Sequence, residues 1–140
     1  MDRVLLDTDV VLDFFFDRKP FSIYASAVIS LCELGSIKGY ITPVIISNTY
    51  YILRQGSRHD KVIRKLKDLV QIVGVLEMDK EVVINALNST FNDFEDALQN
   101  FTAQKNGTID VILTRNIKDY KNSKIAVMPP ESYLKMFTNR

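Results

Sequence analysis

Short runs of apolar residues recur along the chain, separated by longer stretches of helical periodicity, and this alternation constrains the fold more than any other feature. The runs are Val4 to Leu6, Gly39 to Ile41, Val73 to Leu76, Val111 to Leu113 and Ile125 to Val127. Between them, Val10, Val11, Phe14 and Phe15 recur at helical spacing, and Phe21 to Leu34 reads as a helix stopped by Gly35. Thr42 and Pro43 open another helix, with Thr42 as N-cap, that runs to about Gln55 before Gly56 and Ser57 break it. Val62, Ile63, Leu66, Leu69 and Val70 define an amphipathic helix, Lys80 to Leu87 a further one, and Phe94, Ala97, Leu98 and Phe101 another that ends at Gly107. A last short helix covers Ser132 to Phe137, beyond Pro129 and Pro130.

Strand and helix alternate without a repeat, a linker or a low-complexity tract, and Val111 to Leu113 is apolar throughout, as a sheet covered on both faces requires. The expected fold class is α/β, a three-layer α/β/α sandwich around a mainly parallel sheet. At 140 residues the chain has room for one domain, spanning residues 1–140. Ligands of such sheets bind beyond the carboxyl ends of the strands. Asp7 closes the first strand, and Thr114, Arg115 and Asn116 close the fourth, so both groups are expected on one sheet edge. Asp110 opens its strand and is expected at the opposite edge.

Two acidic groups stand out. Asp7, Thr8, Asp9 and Asp13 crowd the end of the first strand, where a buried carboxylate is costly unless paired, hydrogen-bonded or bound to a cation. An alternative without function is that Asp7 or Thr8 caps the next helix and that Asp13 merely faces water at helical spacing. Asn92, Asp93, Phe94, Glu95 and Asp96 begin a helix, where free N–H groups favour carboxylates, and capping-box pairs account for them without any function. Together, however, a strand-end aspartate and a helix-start acidic cluster can pool oxygen ligands for a hard divalent cation, Mg²⁺ or Mn²⁺. Asp7, Asp93 and Asp96 are the candidate metal ligands. Such a site activates water and neutralises charge on a phosphodiester, so no nucleophilic side chain is needed.

Composition narrows the alternatives. Net charge is +1, so any nucleic-acid partner must be held by a local patch, from Arg54 to Lys67 or over Arg115, Lys118, Lys121 and Lys124. His59 is the sole histidine, beside Arg58 and Asp60, which excludes a histidine triad or a zinc site. The lone Cys32 cannot form an internal disulfide and reads as a buried thiol. No glycine-rich phosphate loop is present. With neither a signal-like start nor a membrane-length apolar run, cytoplasmic residence without a membrane partner is expected.

Val4 to Asp13, Asp93-Phe94-Glu95-Asp96-Ala97-Leu98-Gln99 and Asp110 to Tyr120, followed by Pro129 and Pro130, together give the chain a resemblance. It resembles the PIN-domain family over nearly its whole length, specifically the small prokaryotic branch that includes the toxins of VapBC-type toxin–antitoxin pairs. The resemblance implies a Mg²⁺- or Mn²⁺-dependent endoribonuclease acting on RNA, with an antitoxin protein as partner. Asp7 and Asp96 match two of the family's acidic positions. At the other two the chain carries Asn48, where a glutamate is usual, and Asn116, where many relatives have aspartate; these complete the expected catalytic set. Asp9, Asp93, Glu95 and Asp119 compensate if they reach the cluster. Thr8, Thr114, Arg115 and Lys118 are the expected substrate-binding residues, and Phe21, Tyr24, Tyr50 and Tyr51 are candidates for a homodimer surface. One alternative is a catalytically weakened RNA- or protein-binding module of the same fold. Another, suggested by Asp7-Thr8-Asp9, is a haloacid-dehalogenase-like phosphatase with Asp7 as nucleophile.

Overall fold

The computed structural model describes all residues from Met1 to Arg140. Five strands, β1 (Arg3–Leu6), β2 (Lys38–Ile41), β3 (Gly74–Val75), β4 (Val111–Leu113) and β5 (Ala126–Met128), alternate with seven helices. These are α1 (Thr8–Phe16), α2 (Phe21–Glu33), α3 (Pro43–Arg54), α4 (His59–Ile72), α5 (Lys80–Leu87), α6 (Phe94–Asn106) and α7 (Pro130–Thr138). A short 3₁₀ helix, Ile117–Tyr120, follows β4 in a segment whose sequence carries no helical periodicity. The strands form one sheet in the order β3-β2-β1-β4-β5. Every pairing is parallel.

The local chemistry explains where the helices start. Thr42 caps α3, its hydroxyl accepting the Ile45 N–H at 3.2 Å, with Pro43 in the first turn. Asp79 caps α5 through the Val82 N–H at 3.1 Å. Asp93 caps α6 through the Asp96 N–H at 2.9 Å, and Gly107 ends that helix in the left-handed conformation with φ 80°.

Val4, Leu5 and Leu6 of the central strand are fully buried, and so are Ile112 and Leu113 beside them. Consecutive residues of a strand point to opposite faces, so both faces of the sheet are covered. Burial of each such side chain contributes about 1.5–3 kcal/mol. On the helical side, α1 packs on α2 and α3, α2 on α7, and α3 on α4. Helices α5 and α6 pair with each other around Val82, Ala86, Ala97 and Leu98. Asp110 does lie at the far edge, where its Oδ2 accepts the Arg3 N–H at 2.8 Å.

Cys32 is buried against β2, and burial pushes its thiol up to about 11, so it remains protonated at neutral pH. A Cβ built on Gly39 would stand 2.6 Å from Cys32 Sγ and 3.1 Å from Val73 Cγ1. Gly39→Ala is therefore expected to lower stability by about 1–3 kcal/mol through overpacking. Combining it with Cys32→Ala, which removes the blocking sulfur, should make the double variant less unstable than additivity allows. Urea unfolding of the single and double variants checks this, and strict additivity would refute the account.

Candidate active site

The chain leaves β1 toward β2 and β3 in one direction, then returns through β4 to β5 in the other, so the strand order reverses between β1 and β4. Clefts of parallel sheets form at such reversals, outside the carboxyl ends. Asp7 stands there, still in the ladder, with its N–H donating to the Leu113 carbonyl at 3.0 Å. It is 5% exposed. Its Oδ1 accepts the Thr8 N–H at 2.8 Å, so it does cap α1. Its Oδ2 accepts the Thr114 hydroxyl at 2.9 Å and the Tyr120 hydroxyl at 3.1 Å. Capping and cleft formation thus fall to the same carboxylate, one oxygen for each.

Asp7, Asp9, Asp93, Glu95, Asp96 and Asp119 line one open cleft of about 220 Å³, together with Thr8, Leu12, Asn116 and Arg18. Six carboxylates face one basic side chain in a protein whose overall charge is only +1. Burial raises the pKa of Asp7, although hydrogen bonds from Thr8, Thr114 and Tyr120 oppose the shift. Asp96 is pushed up to about 8, first by burial and then by the charges of Asp7, Asp93 and Asp119. Asp9 rises to about 6 through burial and the charge of Asp7. The Tyr120 phenol is driven far above its ordinary range by burial and by Asp7 and Asp96, so it remains a hydrogen-bond donor.

The expected residues separate into groups. Asp7, Asp93, Asp96, Thr8 and Asn116 share the cleft, and Thr114 lies beneath it, holding Asp7. Asn48 stands beside it on α3, its amide donating to the Glu95 carboxylate. Lys118 is exposed on the 3₁₀ helix. Arg115 has its N–H on Asp9 Oδ2 at 2.9 Å, but its guanidinium turns away and grips Asp13 through Nε at 2.6 Å and Nη2 at 2.9 Å. Asp13 does not face water; it is 1% exposed, with Arg18 also 3.7 Å away. A free aspartate there would be costly, and the two guanidiniums balance it. Tyr120, which the sequence pattern does not mark as a site residue, places its hydroxyl between Asp7 and Asp96. The Asp119-Tyr120 pair in an otherwise irregular segment was the available signal.

The cleft offers hard oxygen donors, including the buried Asp9 Oδ1, which has no hydrogen-bond partner. In donor type the set fits Mg²⁺ or Mn²⁺. In spacing it does not yet close, for no three acidic, histidine or cysteine side chains converge to hold an ion between them. No lysine lines the cleft and both Asp7 oxygens are engaged, so an aspartyl-phosphate chemistry at Asp7 finds no support here.

An acidic cleft at the switch point of a wholly parallel, five-stranded sheet defines the class as an α/β protein with a candidate cation site. The chain belongs to the PIN domain family, whose model matches residues 3–118. That assignment removes the phosphatase alternative. Among solved structures, VapBC-1 from nontypeable Haemophilus influenzae is 16% identical with a TM-score of 0.68, the match covering 92% of this chain and 98% of that one. VapBC from Salmonella typhimurium, bound to DNA, is also 16% identical, with a TM-score of 0.69 and coverage of 93% and 99%. PAE2754 from Pyrobaculum aerophilum is 18% identical, with a TM-score of 0.63 and coverage of 99% and 98%. At these identities the likeness is one of fold. No curated protein matches the sequence.

Proposed function

We propose that this protein is a Mg²⁺- or Mn²⁺-dependent endoribonuclease, acting in the cytoplasm as the toxin of a toxin–antitoxin pair. The observation that carries the reading is the gathering of six carboxylates from α1 and its cap after β1, from the capped start of α6 and from the 3₁₀ helix into one cleft, two of them raised to about 6 and 8. Carboxylates whose pKa values are raised by burial and by one another ionise together more readily when a cation is bound. The structural likeness to VapBC assemblies and the family assignment agree with it. An antitoxin protein is the corresponding partner.

Asp7, Asp93 and Asp96 are the principal ligands in this reading, with Asp9 beside them. Asp119 and Glu95 supply the charge that Asn116 and Asn48 lack, since both line the same cleft. Thr114 and Tyr120 hold Asp7 in orientation, as outer-shell partners of a metal ligand do. Thr8 and Lys118 face the path of the RNA backbone. The bound ion would lower the pKa of an attacking water and neutralise charge building on the phosphodiester. Arg115 is committed to Asp13, so its contact with RNA is made from that fixed position, and charge reversal there would test the fold rather than the RNA path.

Mn²⁺-supported cleavage of single-stranded RNA tests the proposal. Asp7→Ala and Asp96→Ala, each with unchanged circular dichroism, are expected to lose at least roughly a hundredfold in rate, more than outer-shell changes typically cost. Undiminished cleavage in both variants would sink it. The lack of a closed three-ligand grouping favours a second reading, a binding module of the same fold. RNA binding indifferent to both substitutions, with no hydrolysis under any divalent ion, would select that one. Homodimerisation through the exposed Tyr51 is checked by the light-scattering mass.

A further inference from the structure

Beside the acidic cleft lies a second cavity of about 320 Å³, lined by Asp13, Phe21, Tyr24, Arg115, Pro129, Pro130 and Glu131. We propose that this cavity is a subsite for a guanine base of the RNA, recognised by the Arg115 guanidinium and the Glu131 carboxylate. The inference rests on reading the chain as a protein that acts on RNA.

The two hollows share a wall. Arg115 donates its backbone N–H to Asp9 in the cleft while its side chain lines the second cavity, and Arg18, in the cleft, is 3.7 Å from Asp13 of the cavity. A strand whose phosphate lies over the carboxylates therefore has a place for a neighbouring base on the far side of this wall. RNA recognition commonly takes this form, with an unstacked base against an aromatic ring or a guanidinium plane, read at its edges.

The lining chemistry selects among the bases. Asp13 is 1% exposed and holds Nε and Nη2 of Arg115, and Phe21 lies 4.0 Å from the guanidinium carbon, so the group is fixed on two sides. Nη1 has no protein partner. A guanidinium so placed matches the O6 and N7 acceptors that guanine alone presents together. Glu131, in the first turn of α7, is half-exposed, and its one ion pair is with Lys135, at 3.6 Å. Its carboxylate accepts the N1–H and amino hydrogens of guanine, where adenine offers no such pair of donors. Tyr24, Pro129 and Pro130 supply the flat apolar wall.

The test needs no turnover, so it stands apart from the nuclease assay. Calorimetric titration of the full chain with guanosine, adenosine, cytidine and uridine monophosphates is expected to favour the guanosine ligand by roughly tenfold or more, within the discrimination that one bidentate base contact provides. Glu131→Gln, an exposed change that leaves the fold intact, should erase that preference, whereas Asp96→Ala should keep it. A short oligouridine with one central guanosine should bind tighter than guanosine monophosphate and tighter than its adenosine counterpart. Equal affinity for the four nucleotides, a preference that survives Glu131→Gln, or an oligonucleotide no better than the free nucleotide would each overturn the subsite. If no RNA is cleaved under any divalent ion while the guanosine preference holds, the nuclease reading fails and the subsite stands.

Discussion

Asp13→Ala is expected to lower stability by about 3 kcal/mol, the lower end of what removing one partner of a buried ion pair costs. The side chain is buried in α1 and takes two hydrogen bonds from Arg115, with Arg18 close by. Deleting it leaves the Arg115 guanidinium, 29% exposed, with two donors unanswered and a neighbouring positive charge. That partial exposure is why the expected loss sits at the low end. Against the 5–15 kcal/mol typical of a whole domain, about 3 kcal/mol is a large share. Asp13→Asn, which keeps the shape and one acceptor, should fall between wild type and alanine. Urea unfolding checks both, and an alanine variant within about 0.5 kcal/mol of wild type would mean that the pair is dispensable.

The metal-free protein should lose stability as pH rises from about 4 to about 8, which is unusual for a carboxylate-rich protein. Asp96, Asp9 and Asp7 all hold their protons more tightly folded than unfolded, because burial and mutual repulsion disfavour their charged forms. Between the unfolded value of 3.8 and the folded values of about 6 for Asp9 and about 8 for Asp96, the native state binds more protons than the unfolded chain. Stability then declines with pH across that window. Asp2 and Asp79, whose values are lowered, act in the opposite sense but below the ordinary carboxylate range, so they set the acid limb. Saturating Mn²⁺ should reverse the trend, since ionised carboxylates bind it and binding adds to stability by mass action. Thermal melts between pH 4 and 8, with chelator and with Mn²⁺, read both effects. A chelated protein whose Tm climbs steadily from pH 5 to 8 would contradict the electrostatics of the cleft.

The backbone plan was legible because each strand and helix carries its own signal. Val111 to Leu113 is apolar without a break, Thr42-Pro43 announces a helix start, and Gly107 its end. The acids were legible for a similar reason: Asp7, and Asp93 to Asp96, lie at element ends that a parallel sheet turns to one edge. What local pattern could not give was pairing at a distance. Asp13 looks like a solvent-facing helical residue until Arg115, 102 residues away, is brought beside it. Tyr120 belongs to a single turn of 3₁₀ helix with no periodicity, and its contact with Asp7 spans 113 residues. Asp119 became a member of the cleft for the same reason, through the placement of that turn rather than through anything in its own neighbourhood.

The central position of β1 also bears on how the protein is made. Of the five strands it is the earliest in sequence; β2 soon joins it on one flank, but β4 can join the other only after α6 has been made. Until then the Asp7 carboxylate lacks Thr114 and Tyr120, and the acidic cleft lacks part of its wall. The acidic cleft is thus complete only once β4 and the 3₁₀ turn that follows it have closed beside the first strand.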